Sequence, residues 1–275
     1  MHRKLIPFVL ISLASSLAVR AEEARANPPA ADFSHTWLLH LPGIGGEMGI
    51  DRAFIHGLKD GGWEGPTKIY DWTEHDPGID ALHARKRNDR EAQIVSEMIE
   101  LKLKQDPKLQ ITLTSHSGGT GIAVWALEKL PPGMQIRTLV LLASALSPEY
   151  DLSSALKHVS GNAYVYYSEN DTLVLGAGTQ LFGTIDGKKS VAAGLVGFKM
   201  PPDGDKEQYE KLIQRPWIKD WMVFENAGSH IGCMSRPFVS RVLAPVLIGA
   251  LHESHRVFAT TQPADNSNAD RRVSR

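Results

Sequence analysis

The chain has a single cysteine, Cys233, so no disulfide can form within it. Its stability must therefore come from a packed core. An excess of one charge is also missing: 30 basic residues face 31 acidic ones, a formal net charge of −1. That balance leaves no electrostatic footprint for nucleic acid or an anionic membrane surface. There is no H-E-x-x-H run and no pair of cysteines, so neither a catalytic metal nor a cofactor is expected. No Pro/Gly/Ser-rich linker divides the chain, and no internal repeat is evident.

The apolar run from Leu5 to Val19 falls short of the roughly 20 residues that a membrane-spanning helix needs. It follows the basic opening His2-Arg3-Lys4 and precedes Val19-Arg20-Ala21, which reads as a secretory signal peptide over residues 1–21. Cleavage after Ala26 and an uncleaved anchor are the alternatives. The expected location is secreted or periplasmic, with no stable membrane span after cleavage. About 250 residues remain, enough for one large domain or two small ones. Residues 22–32 form a polar, alanine-rich lead-in and residues 33–255 the expected domain. Residues 256–275, within a stretch that lacks apolar periodicity, are expected to be a disordered tail.

What is present is an alternation of apolar strand-like runs with helical ones. Strands are predicted at Thr36–Leu41, Thr67–Trp72, Leu109–Ser115, Ile136–Ala143, Asn162–Ser168 and Trp221–Glu225. Helices are predicted near Met48–Leu58, Asp89–Lys104, Thr120–Leu130, Glu149–Val159, Lys206–Gln214 and Phe238–His255. Near-continuous apolar strands separated by helices imply an α/β fold, a mostly parallel sheet covered on both faces. Such sheets bind ligands beyond the carboxyl ends of their strands.

Four stretches at those ends carry chemistry-bearing residues. Ser115-His116-Ser117-Gly118-Gly119 joins a short strand to an amphipathic run, as a G-x-S-x-G elbow does, with serine at the first glycine. A phosphate-binding turn is the alternative, but it lacks the lysine of G-x-x-x-x-G-K-[ST]. His40-Leu41-Pro42-Gly43-Ile44-Gly45-Gly46 follows the first strand and lets backbone NH groups point inwards; an ordinary glycine-rich turn is the plainer reading. Glu169-Asn170-Asp171 follows Ser168, where a carboxylate can orient an imidazole or simply cap a turn. Gly228-Ser229-His230 places a histidine between small residues near the last strand. His116, His252 and His255 are given no role. The loop Asp71 to Asp80 can line a pocket but has no assigned function, and the long excursion Gly176 to Asp220 can cover part of one.

Ser117, Asp171 and His230 occur in the order serine, acid, histidine. With these residues and the glycine loop, the chain resembles the α/β-hydrolase superfamily of serine hydrolases, over roughly Phe33 to His255. The resemblance implies an α/β-hydrolase fold without a large cap domain. It further implies Ser117 as nucleophile, His230 as general base, Asp171 as its orienting carboxylate, and the Gly118 and Ile44 amides as the oxyanion hole. Leu41-Pro42 stands where the family has His-Gly, which leaves Ile44 and Gly45 as alternatives; Glu169 is the fallback acid. The implied partner is a small-molecule or lipid-like ester, with thioesters and amides open to the same triad. A non-catalytic binding module on the same fold is the alternative from another class. Oligomeric state is not legible.

Overall fold

A computed structural model describes residues 31–74, 76–172 and 183–251; the leader, the tail, His252 and His255 lie outside them. Within the unit from Phe33 onward, six strands form one all-parallel sheet in the order β2-β1-β3-β4-β5-β6. They are β1 (Thr36–Leu41), β2 (Thr67–Ile69), β3 (Gln110–His116), β4 (Thr138–Leu142), β5 (Ala163–Tyr167) and β6 (Leu212–Pro216). The crossovers include α1 (Gly49–Asp60), α2 (Arg85–Gln105) and α3 (Gly119–Glu128), and a final helical stretch, α4, covers residues 236–251.

Alternation along the strands sends side chains to both faces. Leu39 and Leu41 of β1 pack with Val95 and Ile99 of α2 and Ile122 of α3. Leu38, Val140 and Tyr166 point the other way, onto Phe54 of α1 and Phe238 and Leu247 of α4. The two apolar cores share the sheet as their wall, so helices cover both faces as expected. The parallel sheet with helices on both faces is the α/β architecture expected, and among the described residues no connection carries a cap domain.

One part of the expected pattern is corrected. Trp221–Glu225 is not the last strand: Lys219–Phe224 is a 3-10 helix, ended by Glu225 at φ 60°. The sixth strand is Leu212–Pro216, so of the expected helix Lys206–Gln214 only Lys206–Tyr209 is helical. It pairs with β5 from Ala163↔Leu212 to Tyr167↔Pro216. The reason lies in the edge position. Gln214, Arg215 and Pro216 are exposed, and proline is tolerated because its missing NH faces away from the sheet. In the run read as a strand, Trp221 packs its ring against Tyr166 and Phe238, while Met222 and Val223 are 53% and 77% exposed.

Candidate active site

The central strand β3 ends at His116, and Ser117 follows at φ 50°, in the left-handed region that costs a non-glycine residue free energy. The turn is held from several sides. The Ser117 NH donates to the Leu142 carbonyl, extending the ladder to β4, and the Ser117 carbonyl accepts from the Thr120 NH and hydroxyl at 3.1 and 2.6 Å. The chain crosses so close here that a Cβ on Gly119 would collide with the carbonyl oxygens of Pro42 and Leu41. Ser115, in place of the elbow's first glycine, is buried and donates to the Val140 carbonyl at 3.2 Å.

The structure brings the three separated residues together. Ser117 Oγ lies 2.9 Å from His230 Nε2, and His230 Nδ1 lies 2.7 Å from Asp171 Oδ2. Asp171 is 4% exposed and Ser117 is 7% exposed. A carboxylate can only accept at Nδ1, so that nitrogen carries the ring proton, leaving Nε2 to accept from the serine hydroxyl. Glu169, by contrast, is exposed and, among the described residues, makes no hydrogen bond to the imidazole. The histidine loop is shaped by Asn226, whose buried side-chain oxygen accepts from the Gly228 NH at 3.0 Å.

The glycine loop after β1 faces the elbow from the other side. The Ile44 nitrogen lies 3.6 Å from where a Cβ on Gly118 would stand, whereas a Cβ on Gly45 would meet Met48. Neither the Ile44 nor the Gly118 amide donates to a loop or turn acceptor among the described residues. Two amides so placed can receive an oxyanion forming at Ser117.

The loop that the sequence left without a role turns out to prop this one. Trp72 Nε1 donates to the Pro42 carbonyl at 2.8 Å, Asp71 accepts from the Glu47 NH at 3.1 Å, and the Gly78 NH donates to the Ile44 carbonyl at 2.8 Å. From below, Asp51 accepts from the Met48 NH at 2.8 Å and from the His40 ring at 3.0 Å. His40, fully buried, also reaches Thr114 at 3.0 Å and stacks on Phe54. It is a strut under the loop. A polar run of Asp and Trp after a strand was the only signal for these props.

A broad cleft of about 1090 Å³ lies elsewhere, between the ends of α2 and α3 and Tyr150, and none of the three residues lines it. A cavity of about 20 Å³ sits behind Asp171. Among the described residues no group of three or more His, Cys, Asp or Glu side chains is arranged to hold a metal ion, and no helix is long and apolar enough to cross a membrane.

No family model and no curated protein matches the chain. Solved structures do. A lipase-esterase related protein from Clostridium acetobutylicum aligns at 11% identity over 83% of this chain and 97% of its own, TM-score 0.43. A cutinase-like protein from Cryptococcus sp. aligns at 14% identity over 82% and 97%, TM-score 0.38. The NocB thioesterase domain from the nocardicin cluster aligns at 12% identity over 79% and 94%, TM-score 0.41.

Proposed function

We propose that the protein is an exported serine hydrolase that cleaves carboxylic esters through an acyl-enzyme on Ser117. The observation that carries this reading is the unbroken chain Ser117 Oγ, His230 Nε2, His230 Nδ1, Asp171 Oδ2, with links of 2.9 and 2.7 Å, set on a serine at φ 50°. The basic-apolar leader supports export.

In this account His230 Nε2 takes the hydroxyl proton as Ser117 Oγ bonds to the ester carbon. The carbonyl oxygen becomes an oxyanion between the Ile44 and Gly118 NH groups, each such donor being worth about 3 kcal/mol in the transition state. His230 then gives the proton to the departing alcohol. Water repeats the sequence on the acyl-enzyme and releases the acid. Asp171 stays ionised throughout, holding the ring's orientation and stabilising the imidazolium. Apolar side chains beside these loops are exposed: Met48 after the glycine loop, Ile79 next to the Gly78 that donates to the Ile44 carbonyl, and Ile231 next to His230 are 42%, 45% and 54% exposed. That rim supports an apolar, lipid-like acyl group.

The test is turnover of p-nitrophenyl esters of graded chain length, with matched thioesters and anilides, by wild type and Ser117→Ala. We expect ester turnover in the wild type and a loss on the order of 10⁴-fold or more in the variant. Equal turnover by the two proteins would remove Ser117 from the reaction.

A further inference from the structure

His116 occupies a position that the elbow pattern does not explain. It closes β3 next to Ser117 and is 3% exposed. Its Nε2 lies 2.9 Å from the main-chain carbonyl oxygen of His230. A carbonyl only accepts, so Nε2 carries the proton and donates. The two imidazoles lie 4.9 Å apart, tilted by 47°. On its other side is the glycine loop, where a Cβ on Gly43 would come within 3.3 Å of both His116 Nδ1 and the Ser117 Cβ. The ring therefore stands between the loop that carries Ile44 and the loop that carries His230, and is fixed to the strand that carries Ser117.

Its chemistry suits that place. Burial, and then the neighbouring His230, pushes the His116 pKa down to about 3, so the ring is a neutral donor at physiological pH and adds no positive charge beside the imidazole that must accept a proton. Among the described residues the His230 carbonyl has one other donor, the Cys233 thiol at 3.8 Å, and a thiol donates weakly. Asp171 fixes one end of the His230 side chain. The bond from His116 to its peptide holds the backbone end.

We propose that His116 is a positioning residue: by donating Nε2–H to the His230 carbonyl it ties the histidine loop to the elbow and sets the distance from His230 Nε2 to Ser117 Oγ. This rests on the acyl-enzyme reading above. A side chain that only filled the space between the loops would be replaceable by any apolar group of similar size. A tether needs the donor.

The experiment measures kcat, KM and the rate of inactivation by a fluorophosphonate for the full chain as wild type, His116→Leu, His116→Gln and His116→Asn, with melting temperatures to establish folding. Leucine has no donor, glutamine extends an NH₂ towards the carbonyl, and asparagine is a methylene shorter. We expect His116→Leu to lose kcat on the order of 10²-fold, the cost of about an ångström of misplacement, with KM little changed and inactivation slowed in parallel. We expect His116→Gln to recover most of that loss. Folded His116→Leu with wild-type kcat and labelling overturns the inference. If the leucine variant does not fold, the pair of amides decides: glutamine active with asparagine impaired supports the tether, and equal rates overturn it. A wild type that neither turns over esters nor labels at Ser117 overturns the acyl-enzyme reading itself, a result distinct from any difference among the variants.

Discussion

Two polar regions lie at opposite ends of α3. At its start, Ser117, His230 and Asp171 form a directional chain in which each donor has one acceptor. Near its end, the broad cleft holds Trp125, Glu128 and Tyr150, where the Trp125 indole donates to the Tyr150 hydroxyl at 2.9 Å and that hydroxyl's single proton is shared between the Glu128 oxygens at 3.0 and 3.1 Å. The cleft has the volume, whereas the elbow has the alignment. A carboxylate at the elbow sits against an imidazole that can gain a proton, so its charge has a use. Glu128 meets no such partner, and burial pushes its pKa up to about 7. The difference teaches that perturbed charge in a large cavity is a weaker sign of chemistry than a small set of groups with matched donors and acceptors.

The contrast is broken most severely at Asp171. Asp171→Asn presents a side-chain amide that favours the wrong ring tautomer, and turnover should fall on the order of 10⁴-fold with folding retained; the check is kcat alongside a melting curve. A smaller effect tests the props on the glycine loop. Trp72→Phe keeps the ring in the core but removes the donor to the Pro42 carbonyl, leaving a buried acceptor unpaired at about 2 kcal/mol in stability. The loosened loop should lower kcat about tenfold, part of what losing one oxyanion donor costs; chemical denaturation and steady-state kinetics read the two effects separately.

The smallest effect sharpens the comparison from the cleft side. Glu128→Gln should leave turnover unchanged. Its signature is in stability against pH. A carboxyl whose folded pKa is raised from 4.5 to about 7 contributes stability fully present below pH 4.5 and lost as pH rises through about 7. The wild type should therefore lose ground to the glutamine variant across that window, with melting temperatures measured at pH 4 and pH 8 as the check. A constant difference between the two would remove Glu128 as the source.

Much of this arrangement was legible before the fold was seen, for reasons specific to each element. β1, β4 and β5 are buried and apolar along most of their length, while in buried β3 Ile111 and Leu113 alternate with β-branched threonines, and the observed bounds of all four differ from the expected ones by at most two residues. Ser117 and Asp171 were readable because each follows a strand closely, in a loop of small or polar residues, whereas His230 was reached through Trp221–Glu225, which is a 3-10 helix and not the strand it was read as. β6 was not readable, because an edge strand with exposed Gln214, Arg215 and Pro216 lacks the apolar signal, while the more apolar Trp221–Phe224 stretch drew the assignment. The resemblance pointed to Ile44 and left Gly45 as the alternative; what bears on that choice is the Ile44 nitrogen, 3.6 Å from where a Cβ on Gly118 would stand, a matter of tertiary contacts. His116 was hidden for the same reason. Its partner is a main-chain oxygen 114 positions away, and no side-chain pattern marks a backbone acceptor.

The central claim is that Ser117 is an activated nucleophile, and covalent labelling tests it most directly. The full chain would be treated with a fluorophosphonate, its intact mass recorded, and the adduct mapped by peptide sequencing, with Ser117→Ala in parallel. The account predicts one adduct per chain, located on Ser117 and absent from the variant. A folded wild type that takes up no label, or a Ser117→Ala protein labelled as fully as the wild type, would contradict it.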